Sequence, residues 1–407
     1  MKKFSLLFLL CIVFVSCEQT HIYSNITEST LISMTRTYDE AISYAEQALD
    51  LVSGLPTKSG NKRVIENHEV IVSNQTKGNY PDTLMYVFNF SENSGFSAIS
   101  ANKSQFPIVA VTENGHFDLK HLTGIPPVDS FFELYIKNLE NASIATKAAP
   151  PGIITLTNIV YSDSVGPFIN VNWGQTGIYG MFCPNLISGC MATAIAQIMS
   201  YHKHPTSFIS TVIMGEEYTN GDMVSLDWNN INTHINSHSN IQSCTPSHKQ
   251  IAALMRETGD LVQMDYSSPT SSSAIGSKAE DAFEYFGYAF DNYSFAYTPS
   301  IILSLKENGP VFMSGTDSNA GGHAWVADGY VEYVTTIDSY ENGELIGSFP
   351  KDDRHVLHIN WGWDGDCNGY FHFDNYDTGN ADTYDGTSYS DYNFQSNLKT
   401  LTNIRKH

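Results

Sequence analysis

Basic side chains are scarce in this sequence: 21 Lys and Arg stand against 43 Asp and Glu over 407 residues, for a net charge of −22. The deficit is uneven, with 15 acids against 9 bases in residues 18–150 and 28 against 10 in 151–407. A chain this acidic repels phosphate backbones, which excludes nucleic-acid binding and suits an exported protein. Cysteine is also sparse. Of six, Cys11 and Cys17 fall in the N-terminal leader, leaving Cys183, Cys190, Cys244 and Cys367, too few for a disulfide scaffold. Long hydrophobic runs are missing after the leader, and no internal repeat is found, so neither a membrane bundle nor a solenoid is expected.

The leader itself, MKKFSLLFLLCIVFVSCEQ, has two lysines and an apolar run from Phe4 to Val15, too short for a permanent span and laid out as an export signal. Cys17 directly after the run resembles the lipobox of bacterial lipoproteins. That likeness implies acylation of Cys17 and an outer-membrane anchor.

Residues 18–144 read as a small α+β unit. Thr37 and Glu40 are spaced as a capping box ahead of a helix with Ala41, Tyr44, Ala45, Ala48 and Val52 on one stripe. LMYVFNF, FSAIS and FPIVAVTENGHF follow as strands, and a second helix is expected over Phe131 to Leu139. Residues 145–152, within NASIATKAAPPG, read as an exposed processing linker. From 153 to 407 helices come first, at 190–203, 247–264, 277–286 and 299–307. Strands follow, at VFMSG, HAWVADGYVEY, HVLHINWGW and GYFHF, with a weaker run near Asn393 to Leu401. A helical half followed by an antiparallel strand-rich half predicts an α+β domain with its site in the cleft between them.

Cys190 opens a helix after Gly189, where unpaired N–H groups and the helix dipole favour a thiolate. A thiol nucleophile needs a base, a group that orients the base, and oxyanion donors. His323 in GGHAWVADGY supplies the base, 133 positions after Cys190. Asn360 in HINWGW is an amide able to accept the imidazole N–H, with Trp361 beside it to exclude water. Gln175 in VNWGQTG can join the Cys190 N–H as oxyanion donor. Each alone has a bland explanation; four in the order Gln, Cys, His, Asn point to a thiol hydrolase.

The stretches SGCMATAIAQIMSYHKHP, GGHAWVADGY and HINWGWDGDCNGYF resemble the signatures of the streptopain family of cysteine proteases. The resemblance implies a papain-like catalytic domain at 153–407 behind an inhibitory prodomain at 18–144, which follows the export or lipoprotein signal of residues 1–17. It further implies Cys190 as nucleophile, His323 as base, Gln175 as oxyanion donor, and Asn360 with Trp361 as support for the histidine. Protein or peptide substrates, the chain's own prodomain as intramolecular inhibitor, and a preference for a hydrophobic residue second before the cut are implied in the same way. No cofactor or metal is expected. Zinc on Cys183, Cys190, His202 and His204 is disfavoured because His202 and His204, two apart, face different sides of a helix. The five aspartates of 374–391 lack an ordered calcium-ligand register. Asp364 departs from the family pattern, which has glycine there. The competing reading is an inactive papain-fold lipoprotein acting as adhesin or inhibitor.

Overall fold

The computed structural model describes residues 33–54, 62–73, 82–148, 153–234, 244–317, 321–373 and 398–407. Cys17 with the rest of the leader, Pro150-Pro151 and the aspartate tract lie outside the described residues.

An N-terminal unit is built from α1 (Tyr38–Ser53), β1 (Ile65–Val72), β2 (Thr83–Phe90), β3 (Phe96–Ser100), β4 (Ile108–Thr112) and α2 (Pro126–Ala148). The capping box is present: Glu40 N–H donates to the Thr37 hydroxyl, and Thr37 N–H to the Glu40 carboxylate at 2.8 Å. Ala41, Ala45, Ala48 and Val52 are the buried stripe of α1, and Tyr44 is partly covered. The helix expected over Phe131–Leu139 is much longer. It runs to Ala148, four residues into the expected linker, because nothing in NASIATKA breaks a helix before the Pro pair.

The second part comprises β5 (Ile153–Val165), α3 (Cys190–His202), β6 (Ser207–Ile209), β7 (Met223–Ser225), α4 (Trp228–His234), α5 (Pro246–Leu261), α6 (Ala279–Tyr285), β8 (Tyr288–Ala289), β9 (Ser294–Phe295), α7 (Thr298–Glu307), β10 (Val311–Asp317), β11 (Gly321–Glu341), β12 (Glu344–Asn360), β13 (Gly369–His372), β14 (Lys399–Leu401) and β15 (Arg405–Lys406). Helices and antiparallel strands segregate as expected. Helix α3 is buried on every side from Met191 to Ser200, rather than along one stripe, because β11 covers one flank and α5 another. Strand β11 pairs with β10 as far as Ala327 and with β5 from Tyr330 onward. At this changeover Gly166 is required, since a Cβ there would lie 2.3 Å from the Asp328 carbonyl oxygen.

Both parts share one sheet. Its strands run β1-β2-β3-β4-β13-β12-β11-β10-β14-β9, with β5 beside β11. The junction is β4 on β13, pairing Thr112 with Gly369, Val111 with Tyr370 and Ala110 with Phe371. A Cβ on Gly369 would meet the Val111 carbonyl at 2.2 Å, so only glycine admits this close approach. Across the same junction Phe131 of α2 packs edge-on to Phe371 at 5.1 Å, and the Tyr135 hydroxyl bonds His372 Nδ1 at 3.0 Å.

Beneath the junction His358 is buried between two carboxylates, with Nδ1 2.6 Å from Asp328 and Nε2 2.8 Å from Glu113 of the N-terminal unit. Burial alone would lower its pKa, but Asp328 and Glu113 outweigh burial and push it up to about 10. Burial would raise the Glu113 carboxyl; His358 and Arg63 hold it below its ordinary value instead. The imidazolium contributes stability in full below its unfolded value near ~6.5, lost as pH rises through about 10. Ionised Glu113 contributes above its unfolded value near ~4.5, lost as pH falls through its lowered one. His358→Gln in the full chain should therefore cost about 3–5 kcal/mol near pH 5–6 and progressively less toward pH 10. Thermal midpoints across that range check this, with Cys190→Ala in both proteins to prevent self-cleavage; a pH-independent difference would contradict a charged His358.

Candidate active site

Cys190 is the first residue of α3, as its position after Gly189 predicts. Gly189 has φ +88°, and a Cβ there would strike the Ser272 hydroxyl at 2.4 Å and the Met264 methyl at 2.8 Å, so glycine is required to turn the chain into the helix. The turn is pinned by Thr193, whose hydroxyl donates to the carbonyls of Gly174 and Gly189, both at 3.1 Å. Backbone N–H groups of Ala324, Met191 and Cys190 itself are directed at the thiol.

His323 lies near the start of β11, opposite Gly315 of β10. It lines the same cavity as Cys190, a cleft of about 500 Å³ between the helical and strand-rich halves. The imidazole's Nε2 is 3.1 Å from the Trp361 carbonyl, which can only accept, so Nε2 carries the hydrogen and Nδ1 is the basic nitrogen of the neutral ring. Trp325 stacks on the ring with centroids 6.1 Å apart and planes at 17°; Trp363 lies at 6.3 Å.

Asn360 has a different place from the one its sequence context suggests. Its amide donates to the Val171 carbonyl at 3.0 Å, and its oxygen accepts from Gln197 at 2.9 Å and Gly362 N–H at 3.1 Å. The acceptor for His323 is instead the backbone carbonyl next door. The Trp361 ring is buried against Trp325 and Phe371, and the indoles flanking His323 are those of Trp325 and Trp363. Gln197 is the residue the motifs did not reveal. It is fully buried and joins α3 to the end of β12, tying the helix that Cys190 opens to the strand that leads into Trp361. Its signal in the sequence is a polar amide one heptad after Cys190 in an otherwise apolar or small-residue helix.

Gln175 sits beside the cleft but does not line the cavity. Its carbonyl accepts from Ser188 N–H at 2.8 Å, which ties it to the turn before Cys190, and its side-chain amide is 3.4 Å from the Gly362 carbonyl. The carboxylate of Asp364 occupies the space above Gly174, where a Cβ would meet Oδ2 at 2.3 Å. Cys183, Cys190, Cys244 and Cys367 are all free thiols, and among the described residues no cluster of metal-binding side chains occurs.

Burial opposes the charged form of both groups. Burial raises the Cys190 pKa, opposed in part by its three N–H partners. Burial lowers that of His323 to about 4, opposed by the bond to Trp361. Alkylation of Cys190 in the full chain, read by peptide mapping, should therefore be slow at pH 7 and still accelerating at pH 9. A rate that levels off below pH 7 would mean a preformed thiolate.

Comparison with known proteins places these features in context. Residues 173–371 match the model described as the Peptidase C10 family, and residues 25–139 match that of the Spi protease inhibitor. Streptopain of Streptococcus pyogenes is 29% identical over 330 residues, spanning 71% of this chain and 74% of that protein. The thiol protease/hemagglutinin PrtT of Porphyromonas gingivalis is 26% identical over 344 residues, 74% of this chain but 35% of that protein. The structure of Prevotella intermedia prointerpain A fragment 39–359 superposes with a TM-score of 0.52 at 21% identity, covering 82% of this chain and 98% of that one.

Proposed function

We propose that this chain is an exported cysteine endopeptidase made as a zymogen and acting through Cys190 and His323, a reading supported by the match of residues 173–371 to the Peptidase C10 family and of 25–139 to the Spi protease inhibitor. The observation that carries this reading is the shared cavity, whose wall holds both a thiol at a helix N-terminus and an imidazole anchored through Nε2 on the Trp361 carbonyl. The thiol proton passes to His323 Nδ1 as Cys190 Sγ adds to the scissile carbonyl carbon. The resulting oxyanion is met by the Cys190 N–H and, after its amide swings from Gly362, by Gln175. Collapse expels the amine, which takes the proton from His323 and leaves a thioester. Water then attacks with His323 again as base, releasing the acid and the free thiol.

Starting from a neutral pair, proton transfer accompanies attack rather than preceding it, and the imidazole remains a base well below pH 6.5. The export signal and Cys17 suggest that the precursor is held at a membrane through the N-terminal unit, so a cut within residues 144–149 would free the catalytic part. Lys147-Ala148 is the preferred bond. It lies in the last turn of α2, which must unwind to enter a cleft as an extended strand.

Cys190→Ala should abolish casein hydrolysis and leave the precursor whole, whereas Cys244→Ala should stay active. Residual cleavage by Cys190→Ala would remove it as nucleophile. Gln175→Ala should lower kcat about 10²–10³-fold with little change in KM, and an unchanged kcat would take Gln175 out of the oxyanion site. N-terminal sequencing of the released enzyme should begin at Ala148, and Cys17→Ser should shift the precursor from the membrane to the soluble fraction. A released form still covalently carrying residues 20–140, or a Cys17→Ser precursor still membrane-bound, would defeat the anchoring model.

A further inference from the structure

One cation stands in the wall of the cleft. Lys399 of β14 lines the cavity with Cys190 and His323, and none of the described lining residues is Asp or Glu, in a chain with 43 of them. Its ammonium lies over the rings of Tyr293 at 5.3 Å and Phe295 at 5.1 Å. Among the described residues it has no ion-pair partner. On the Tyr293 side the Glu280 carboxylate accepts from the Tyr293 backbone N–H at 2.7 Å.

The register places this charge relative to the chemistry. Lys399 is paired with Ser314 of β10, and Ser314 with Ala324 of β11, the residue after His323. Two strand spacings put the Lys399 backbone about 10 Å from that of Ala324, on the same face. An extended substrate advances about 3.3 Å per residue, so a side chain one or two residues from the cut reaches Lys399. The wall also carries the hydroxyls of Ser273, Ser277, Ser314, Thr316 and Tyr293, the last bonded to Ser314 at 2.6 Å, among apolar Met191, Ala274 and Ile275. Hydroxyls beside an aromatic-seated ammonium can satisfy the oxygens of a carboxylate that enters there.

We infer that Lys399 is a specificity-determining residue which directs the protease to peptides bearing Glu or Asp one or two residues from the scissile bond. This rests on the Cys190–His323 reading and deepens it. It departs from the hydrophobic preference that family resemblance implies, because the side chain at this point of the wall is charged. It also bears on processing: residues 141–152 hold no carboxylate, so the chain's own seam is a poor match and is cut by virtue of its high local concentration.

The test uses the full chain, incubated under reducing conditions until casein hydrolysis reaches its maximum, then profiled with a peptide library varied at each position around the cut. At one position wild type should favour Glu over Gln by about tenfold in kcat/KM, at low salt. Lys399→Met should erase that preference, read as the Glu-to-Gln ratio of kcat/KM within the one variant, and Lys399→Glu should reverse it toward Lys and Arg. A wild-type profile indifferent to acidic residues, or a Glu preference untouched in both variants, overturns the inference while leaving the protease reading intact. A wild-type chain that cleaves neither casein nor any peptide overturns both.

Discussion

A charge buried under the sheet junction organises the whole chain. His358 is enclosed by β11, β12 and the segment after β4, where a lone imidazolium is not tolerated, yet two carboxylates close on it from opposite parts of the molecule. With Arg63 beside Glu113 the group is neutral as a set, and the Arg63 guanidinium is itself satisfied by the carbonyls of Val52, Ser94 and Glu113. Removing the N-terminal unit takes away one carboxylate and leaves His358 with Asp328 alone. The β4–β13 ladder supplies a few backbone bonds and Phe131 supplies apolar burial, but neither depends on the identity of its partner. The ion group does, because an unpaired buried charge costs far more than a lost surface contact.

The same junction touches the site through short backbone steps. Glu113 N–H donates to the Asn368 carbonyl at 2.7 Å, the Asn368 side chain accepts from Trp361 N–H at 3.0 Å, and the Trp361 carbonyl holds His323. Gly115 lies against the same loop, where a Cβ would sit 2.7 Å from the Cys367 sulfur. The planar peptide that carries the Trp361 carbonyl ends in the Gly362 N–H, which donates to Asn360 Oδ1 at 3.1 Å, so the peptides on both sides of Trp361 are pinned by side-chain amides. Among the described residues, none of the N-terminal unit lines the cavity, and the contacts traced from it toward His323 run through this loop.

Much of this was legible in the sequence, and the failures have physical causes. Gly189-Cys190 ahead of an apolar helix and Gly-Gly-His at a strand start are local signals, and the structure puts both residues on one cavity. Motifs show side chains, and so the eye falls on Asn360, while the carbonyl that holds His323 belongs to a residue read for its ring. Strands β1 and β5 escape because their alternation is blurred: β1 is largely exposed, and β5 mixes Thr, Asn, Ser and Asp into its run. The β4–β13 junction joins residues some 260 positions apart, and His358, Asp328 and Glu113 are unremarkable one at a time. Lys399 is invisible for the same reason, since only the ladder β14-β10-β11 brings it beside His323.

Solvation ties these observations to reactivity. Burial raises the thiol of Cys190 and lowers the imidazole of His323, so one physical cause pushes the two pKa values apart and opposes formation of the ion pair. Any change that admits water to the cleft moves both values back toward each other, and the pair becomes easier to form without either residue changing place. Gln197 and Asn360 hold α3 and the end of β12 together beneath the cavity. The positions of Cys190 and His323 are thus set by a buried clamp, while their pKa values respond to exposure.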